Sequence, residues 1–365
     1  MNKKTKGNKK DSVEDVKNSA DISIKVTKKL SSKDSASKEK LEFDDSVQEV
    51  LKKISKRFGD GSAFILGQHN ANAIPVISSG SLSLDIALGV GGYPKGRMIE
   101  IFGAEGCGKT TLALKAVAEC QAQGGKIVFM DAEHALDVSY AQKLGCDIEK
   151  FILCQPNDGE QALEMVEMFI KSASIDMIVI DSVAALTPRA ELEASISASH
   201  IGLQARMMSQ AMRKLTSVIN QRQTTVIFIN QLRMKIGPFV GGSTTTGGTA
   251  LKFFSSIRIE VKKGIALKVS DKVMGHIIKI KIVKNKVAPP FKEAEYHLFY
   301  YDLNNKSMEI AHMSVELGIF EQRGPWFSYK DLKIQGKMGI VALLKEDPAL
   351  REELINKIKV AAGLV

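Results

Sequence analysis

The sequence predicts an α/β fold built on a mostly parallel sheet that is buried on both faces. Three observations predict it. Runs that are apolar but for a single residue, such as residues 175–180 with Asp176, recur along the middle of the chain, and a strand without a polar face has both sides covered. Segments of helical length separate these runs. One such run, residues 98–102 with Glu100, leads straight into Gly103-Ala104-Glu105-Gly106-Cys107-Gly108-Lys109-Thr110, a glycine-rich turn that opens a helical stretch.

The elements follow in order. Residues 1–42 hold Lys, Ser and Asp but no aromatic residue, and they read as a tail that buries too little apolar surface to order itself. Residues 1–40 carry 12 Lys against 6 Asp or Glu, so most of the net charge of +10 sits there and the remainder is only mildly basic. Such a tail is either a solvated extension or a nucleic-acid-binding arm. In residues 43–74, Val47, Val50, Leu51, Ile54 and Phe58 recur at three- and four-residue steps, giving an amphipathic helix closed by Gly59 and Gly61. One short helix has little core of its own, so it packs either on the main domain or on a neighbouring subunit.

Residues 75–305 form the α/β core. Strands are expected at 98–102, 126–130, 175–180, 225–229, 256–261, 277–283 and 296–301, with helices at 110–123, 160–172 and 200–221. The last strands lack intervening helices and suit antiparallel pairing. Residues 231–252 break the pattern, and GPFVGGSTTTGG at 237–248 reads as a long polar loop. Residues 306–365 form a small α+β domain ending in helices near 339–344 and 349–360.

Composition excludes several classes. Apolar residues make up 44% and charged residues 25%, an ordinary globular balance. Cys107, Cys120, Cys146 and Cys154 form no C-x-x-C pair and read as reduced cysteines. No apolar h-region follows the basic N-terminus and no run has membrane-spanning length, so a cytoplasmic protein without a membrane partner is expected.

The glycine-rich turn fits a nucleoside triphosphate. Its glycines let backbone N–H groups curl around phosphates, and the following helix points its N-terminus at their charge. Lys109 reaches the β- and γ-phosphates, while the Thr110 hydroxyl suits Mg²⁺. Asp181, ending the apolar run 175–180, is the expected second metal residue. Glu133, just past the strand at 126–130, is placed as a general base for water. His134 reads as a structural neighbour, and Cys107 as packing with some redox sensitivity. Guanine is typically read by N-K-x-D; Asn285-Lys286-Val287-Ala288 has Ala where Asp belongs, which favours ATP.

Five stretches narrow the class further: SGSLSLDIALG at 79–89, MDAEHALD at 130–137, IDSVAALTP at 180–188, ARMMSQAMRK at 205–214 and FINQLRMKIG at 228–237. Together they resemble the bacterial RecA family, the strand-exchange ATPases of homologous recombination, over about residues 44–360. The resemblance implies a P-loop core of RecA type and a homo-oligomeric helical filament on single-stranded DNA that pairs with homologous double-stranded DNA in repair. The helix at 43–74 then docks on the next subunit. Gln231 matches the γ-phosphate sensor. Lys284 and Lys286 match lysines that reach a neighbour's ATP in trans. Asp137, Tyr140 and Tyr300 match adenine-side contacts, and Thr111 joins the nucleotide-binding set. Arg206, Ser209, Arg213, Gly247 and Gly248 match DNA-contacting positions. A repressor partner and a co-protease role in the SOS response are further family traits.

The sequence departs from the family in three places. The first DNA loop reads ASISASH at 194–200, where relatives commonly carry Gly and acidic residues. Residues 341–365 hold four basic and four acidic residues, so autoinhibition by an acidic tail is not expected. The basic tail is an addition. A ring-forming motor such as a replicative helicase, and a binding module that uses ATP as a clamp, are the rival readings.

Overall fold

A computed structural model of the protein describes residues 45–59, 62–65, 74–195, 202–234, 242–269, 271–303 and 306–364. The expected tail at 1–42, residues 196–200 of the first loop and residues 235–241 of the glycine-rich loop lie outside the described residues.

Residues 1–72 and 73–365 form separate units. In the first, α1 (Asp45–Phe58) has Lys56 and Arg57 in its last turn, where positive charge complements the helix dipole. Gly59 closes it with an N–H bond to the Ser55 carbonyl at 2.9 Å and a φ of +94°. Val47, Val50 and Phe58 on its apolar stripe are exposed.

The second unit opens with β1 (Val76–Ile77), α2 (Leu82–Leu88) and β2 (Tyr93–Pro94), where β1 and β2 pair antiparallel. The chain continues through β3 (Met98–Gly103), α3 (Lys109–Ala122), β4 (Ile127–Asp131), α4 (Val138–Lys143), β5 (Phe151–Cys154), α5 (Gly159–Lys171) and β6 (Met177–Asp181). It then forms α6 (Arg189–Leu192), α7 (Leu203–Arg222), β7 (Thr225–Met234), β8 (Ser243–Thr245), α8 (Ala250–Phe254), β9 (Ile257–Val269), β10 (Lys272–Asn285) and β11 (Glu293–Phe299). The sheet order is β11-β10-β9-β3-β7-β6-β4-β5, with β8 paired to β7. The strands from β9 to β5 run parallel, while β10 is antiparallel to β9 and β11.

Both faces of the sheet are covered, as the apolar strands require. Met177 and Val179 of β6 face a core shared with α2 and α3, through Leu84, Leu112 and Val117. Ile178 and Ile180 face the opposite core with α5 and α7, through Val166, Ile170, Met212 and Leu215. A third core belongs to α9 (Lys306–Glu316), β12 (Glu321–Arg323), β13 (Trp326–Tyr329), β14 (Leu332–Gln335), α10 (Gly336–Glu346) and α11 (Pro348–Ala361), and it centres on Phe320, Phe327, Ile340 and Leu354.

Three expectations need correction. The loop expected at 237–248 is not wholly irregular: Ser243–Thr245 form β8, which pairs back onto β7. The helix expected from residue 200 is described from Leu203, after Gly202 in a left-handed conformation at φ 82°. The last strands are longer than expected because β9 and β10 pair with each other past the point where β9 leaves β3.

Asp85, on α2, is a buried carboxyl in this scaffold. It accepts hydrogen bonds from Ser78 Oγ at 2.7 Å and the Ser79 N–H at 2.8 Å. Burial nevertheless dominates these bonds and pushes its pKa up to about 7. An unfolded Asp titrates near ~3.9, so between roughly pH 4 and 7 the folded state holds a proton that the unfolded state has released. The contribution of Asp85 to stability therefore falls as pH rises through that window. Asp85→Asn should gain in melting temperature over the wild type between about pH 5 and pH 8. A gap that stays constant across this range in thermal denaturation would contradict the assignment.

Candidate nucleotide site and adjoining loop surface

Strand register assembles the candidate site. Gly103 pairs with Gln231 across β3 and β7, and Asp131 pairs with Asp181 across β4 and β6. The carboxyl ends of these strands therefore finish together, at the edge where open α/β sheets bind ligands.

The turn after β3 depends on two glycines for different reasons. A Cβ on Gly103 would lie 2.2 Å from the Val261 carbonyl oxygen and 2.8 Å from Cys107 Sγ, so β9 permits nothing larger. Gly108 has a φ of +94°, and its Cβ would meet Ile278 Cδ1 at 2.4 Å. Lys109 sits inside the turn, with Nζ donating to the Ala104 carbonyl at 2.7 Å. The cleft beside the turn has a volume of about 310 Å³. Its walls include Thr111 and Tyr140, joined at 2.7 Å through their hydroxyls. Tyr300 lies across the cleft, 2.5 Å from His276 Nδ1. Lys263, His276, Ile278 and Leu298 complete it, and none of these was legible as a site residue. Asp137 does not face the cleft through a contact of its own; its carboxylate caps α4 by accepting from the Tyr140 N–H.

The carboxylates divide the remaining partners. Thr110 Oγ1 donates to Asp181 at 2.7 Å, the pairing expected of two groups that share a divalent cation. Burial, with Glu133 and Asp131 nearby, pushes Asp181 up to about 6 despite the Thr110 bond and Lys109. Such a site favours an added positive charge, and Thr110 with Asp181 fits Mg²⁺. Glu133 accepts from Ser182 Oγ and, at 2.9 Å, from Gln231 Nε2. Ser182 was missed, although it follows Asp181 directly. His134 takes a φ of 54° as the chain turns after Glu133, consistent with a structural role. Asp131 is occupied by the Ala135 and Leu136 N–H groups and by Gln155.

One expectation changes here. Burial raises the pKa of the Cys107 thiol against the pull of Lys109, so the group stays protonated and redox sensitivity is disfavoured. Asn285 holds a turn, accepting from the Val287 and Ala288 N–H groups while donating to the Leu88 carbonyl.

Lys284 and Lys286 are not part of this cleft. Lys284 Nζ donates to the Lys252 and Phe253 carbonyls at 2.7 and 2.8 Å, capping α8, and Lys286 is exposed. Ile278 touches the turn, and Lys284 lies six residues further along β10, roughly 20 Å at ~3.3 Å per residue.

A second surface adjoins the foot of the glycine-rich loop. Arg206, Ser209 and Arg213 share one face of α7, with Arg213 Nη1 3.3 Å from Ser209 Oγ. With Thr249, Ala250 and Phe253 they line a cleft of about 480 Å³. Gly247 and Gly248 have φ near 77° and 78°, and their Cβ positions would meet Val183 and Ala205 at 2.9 and 2.7 Å. Their requirement is thus left-handed backbone and close packing.

Comparison with known proteins shows the family. Residues 45–303 match the RecA N-terminal domain and residues 308–363 match the RecA C-terminal domain. Protein RecA of Desulforapulum autotrophicum is 50% identical over 325 residues, covering 88% of this chain and 94% of that protein. Protein RecA of Helicobacter acinonychis is 51% identical, covering 87% and 92%. Protein RecA of Francisella tularensis subsp. novicida is 53% identical, covering 86% and 88%.

Because β9 already occupies the space beside Gly103, Gly103→Ala must displace either the turn or the strand. We expect at least about a tenfold loss of nucleoside triphosphate affinity, the scale of one charge-assisted contact in the turn. Titration with a fluorescent nucleotide checks this, and wild-type affinity in the variant would refute it.

Proposed function

The chain belongs to the RecA family of DNA recombinases, which are DNA-dependent ATPases, and from that premise we propose how its own residues divide the work. The substrate is ATP with Mg²⁺, and the partners are single-stranded DNA, a homologous duplex and further copies of this chain in a helical filament in the cytoplasm. The observation that carries this reading is the chain of contacts Thr110–Asp181 and Ser182–Glu133–Gln231 set around the glycine turn.

Thr110 and Asp181 would hold Mg²⁺, which would supply positive charge to the phosphates. The N–H groups of residues 103–110 and the Lys109 ammonium bind the phosphates, for which Lys109 exchanges its bond to the Ala104 carbonyl. Glu133 orients water and takes its proton, with Ser182 and Gln231 fixing the carboxylate. Tyr140 and Tyr300 form the base side of the site, and Asp137 acts through the Tyr140 N–H that it holds. The distance of Lys284 and Lys286 from the cleft of their own chain supports a role in trans, at the ATP of a neighbouring protomer. A non-closing interface of that kind generates a filament. Arg206, Ser209, Arg213 and the Gly247–Gly248 backbone serve DNA phosphates, so binding is largely independent of sequence and base pairing carries the test of homology.

Single-stranded DNA should stimulate ATP turnover. Glu133→Gln should lower kcat by about 10²-fold or more while ATP-dependent filaments on DNA persist in electron micrographs. No stimulation of the wild type would overturn the reading. Rings in place of filaments would favour a ring-forming motor.

Arg213→Ala should weaken single-stranded DNA binding alike across sequences and lower the salt slope of log K by about 0.7. An unchanged slope in salt titrations would remove Arg213 from the DNA surface.

A further inference from the structure

Between the two surfaces lies a buried polar group that the proposed chemistry does not use. Asn230 precedes Gln231 on β7 and has no exposed surface. Its amide uses its full bonding capacity. Oδ1 accepts from Thr246 Oγ1 at 2.5 Å and from the Gln231 N–H at 2.9 Å. Nδ2 donates to Glu100 Oε1 at 2.9 Å and to the Thr246 carbonyl at 3.1 Å. Glu100 is itself fully buried on β3, three residues before the turn, and its other oxygen holds Arg258 Nε of β9 at 2.5 Å.

This placement joins three parts. Through Glu100 the amide is tied to the strand that feeds the phosphate turn. Through the Gln231 N–H it holds the peptide whose side chain reaches Glu133. Through both polar groups of Thr246 it holds the residue just before Gly247 and Gly248. A buried amide has no water to turn to, so Thr246 cannot shift without either drawing Asn230 with it or stranding two bonds. The neighbouring Thr245 Oγ1 is buried without a hydrogen-bond partner among the described residues. The loop foot is therefore not fully satisfied as it stands, and a second arrangement of it has something to gain.

We infer that Asn230, gripping Thr246 and the Gln231 peptide with one amide, is the positioning residue that couples the loop to Gln231 and Glu133. The inference rests on the DNA-dependent ATPase reading. Coupling is reciprocal, so it is measured as the gain in single-stranded DNA affinity produced by a non-hydrolysable ATP analogue. Thr246→Val keeps the shape and the Asn230–Glu100 bond but removes the hydroxyl. Asn230→Ala removes the amide and leaves Glu100 short of a partner, so its fold is checked by thermal melting. The nucleotide-dependent gain should fall about fivefold or more in Thr246→Val. ATP affinity without DNA should stay within about twofold, a split that a purely structural role does not produce. A Thr246→Val gain equal to that of the wild type overturns the inference, whether or not Asn230→Ala folds. So does a parallel fall in ATP affinity and melting temperature. A wild type with no nucleotide-dependent gain overturns the underlying reading instead, and is told apart by the wild-type measurement alone.

Discussion

Gly103 stands opposite Gln231, and Asp131 opposite Asp181, in ladders of parallel hydrogen bonds. The period of a strand is two, so a slip of one residue would turn every side chain to the other face. Such a slip in β7 would send Asn230 toward Glu133 and Gln231 into the core. Two devices hold the register. The alternating apolar residues of β6 and β7 fill separate cores on the two faces of the sheet. The buried Asn230–Glu100 bond ties β7 to β3 side chain to side chain. The turn after β3, the Thr110–Asp181 pair and the Glu133 carboxylate all inherit their positions from that alignment.

The register also concentrates charge. Asp131, Glu133 and Asp181 converge beside one lysine, and burial makes their joint ionisation unfavourable, which is why Asp181 is pushed up to about 6. Each carboxylate has a separate partner set: main-chain N–H groups and Gln155 for Asp131, Ser182 and Gln231 for Glu133, and Thr110 for Asp181. The arrangement carries excess negative charge, which a cation held by Thr110 and Asp181 in place of their mutual bond would relieve.

The part of the site legible in the sequence was the part carried by local pattern. An apolar run followed by G-x-x-x-x-G-K-T places Lys109 and Thr110 on a strand–turn–helix, and an acid closing a second apolar run marks Asp181. Glu133 follows from its strand end. Gln231 was legible only through family resemblance, since a Gln inside a strand has no distinctive spacing. His276 and Lys263 were not legible, because they reach the cleft only when β10 folds onto β9 across a hairpin of mixed polarity. The strand β5 was missed because Ile152 and Leu153 are exposed at the sheet edge and carry no alternation. Asn230 and Glu100 read as polar residues in apolar strands. Their meaning lies in a contact between positions 130 residues apart.

Lys284 shows how the two surfaces meet. Its ammonium caps α8, the helix that follows the glycine-rich loop, and Lys252 of the same helix reaches back to Thr244 Oγ1 at 2.6 Å. Burial and the nearby Lys286 and Arg258 lower its pKa, so the charged form gains from any new anionic partner. On the proposed reading that partner is the nucleotide of the adjacent protomer, and Lys284 must loosen the end of α8 to reach it. The loop foot is then bound at both ends to nucleotide sites: through Asn230 to the site of its own chain, and through α8 and Lys284 to that of the neighbour. A loop held in this way cannot rearrange on a ligand without both sites responding, and that makes assembly, nucleotide binding and loop occupancy one linked equilibrium.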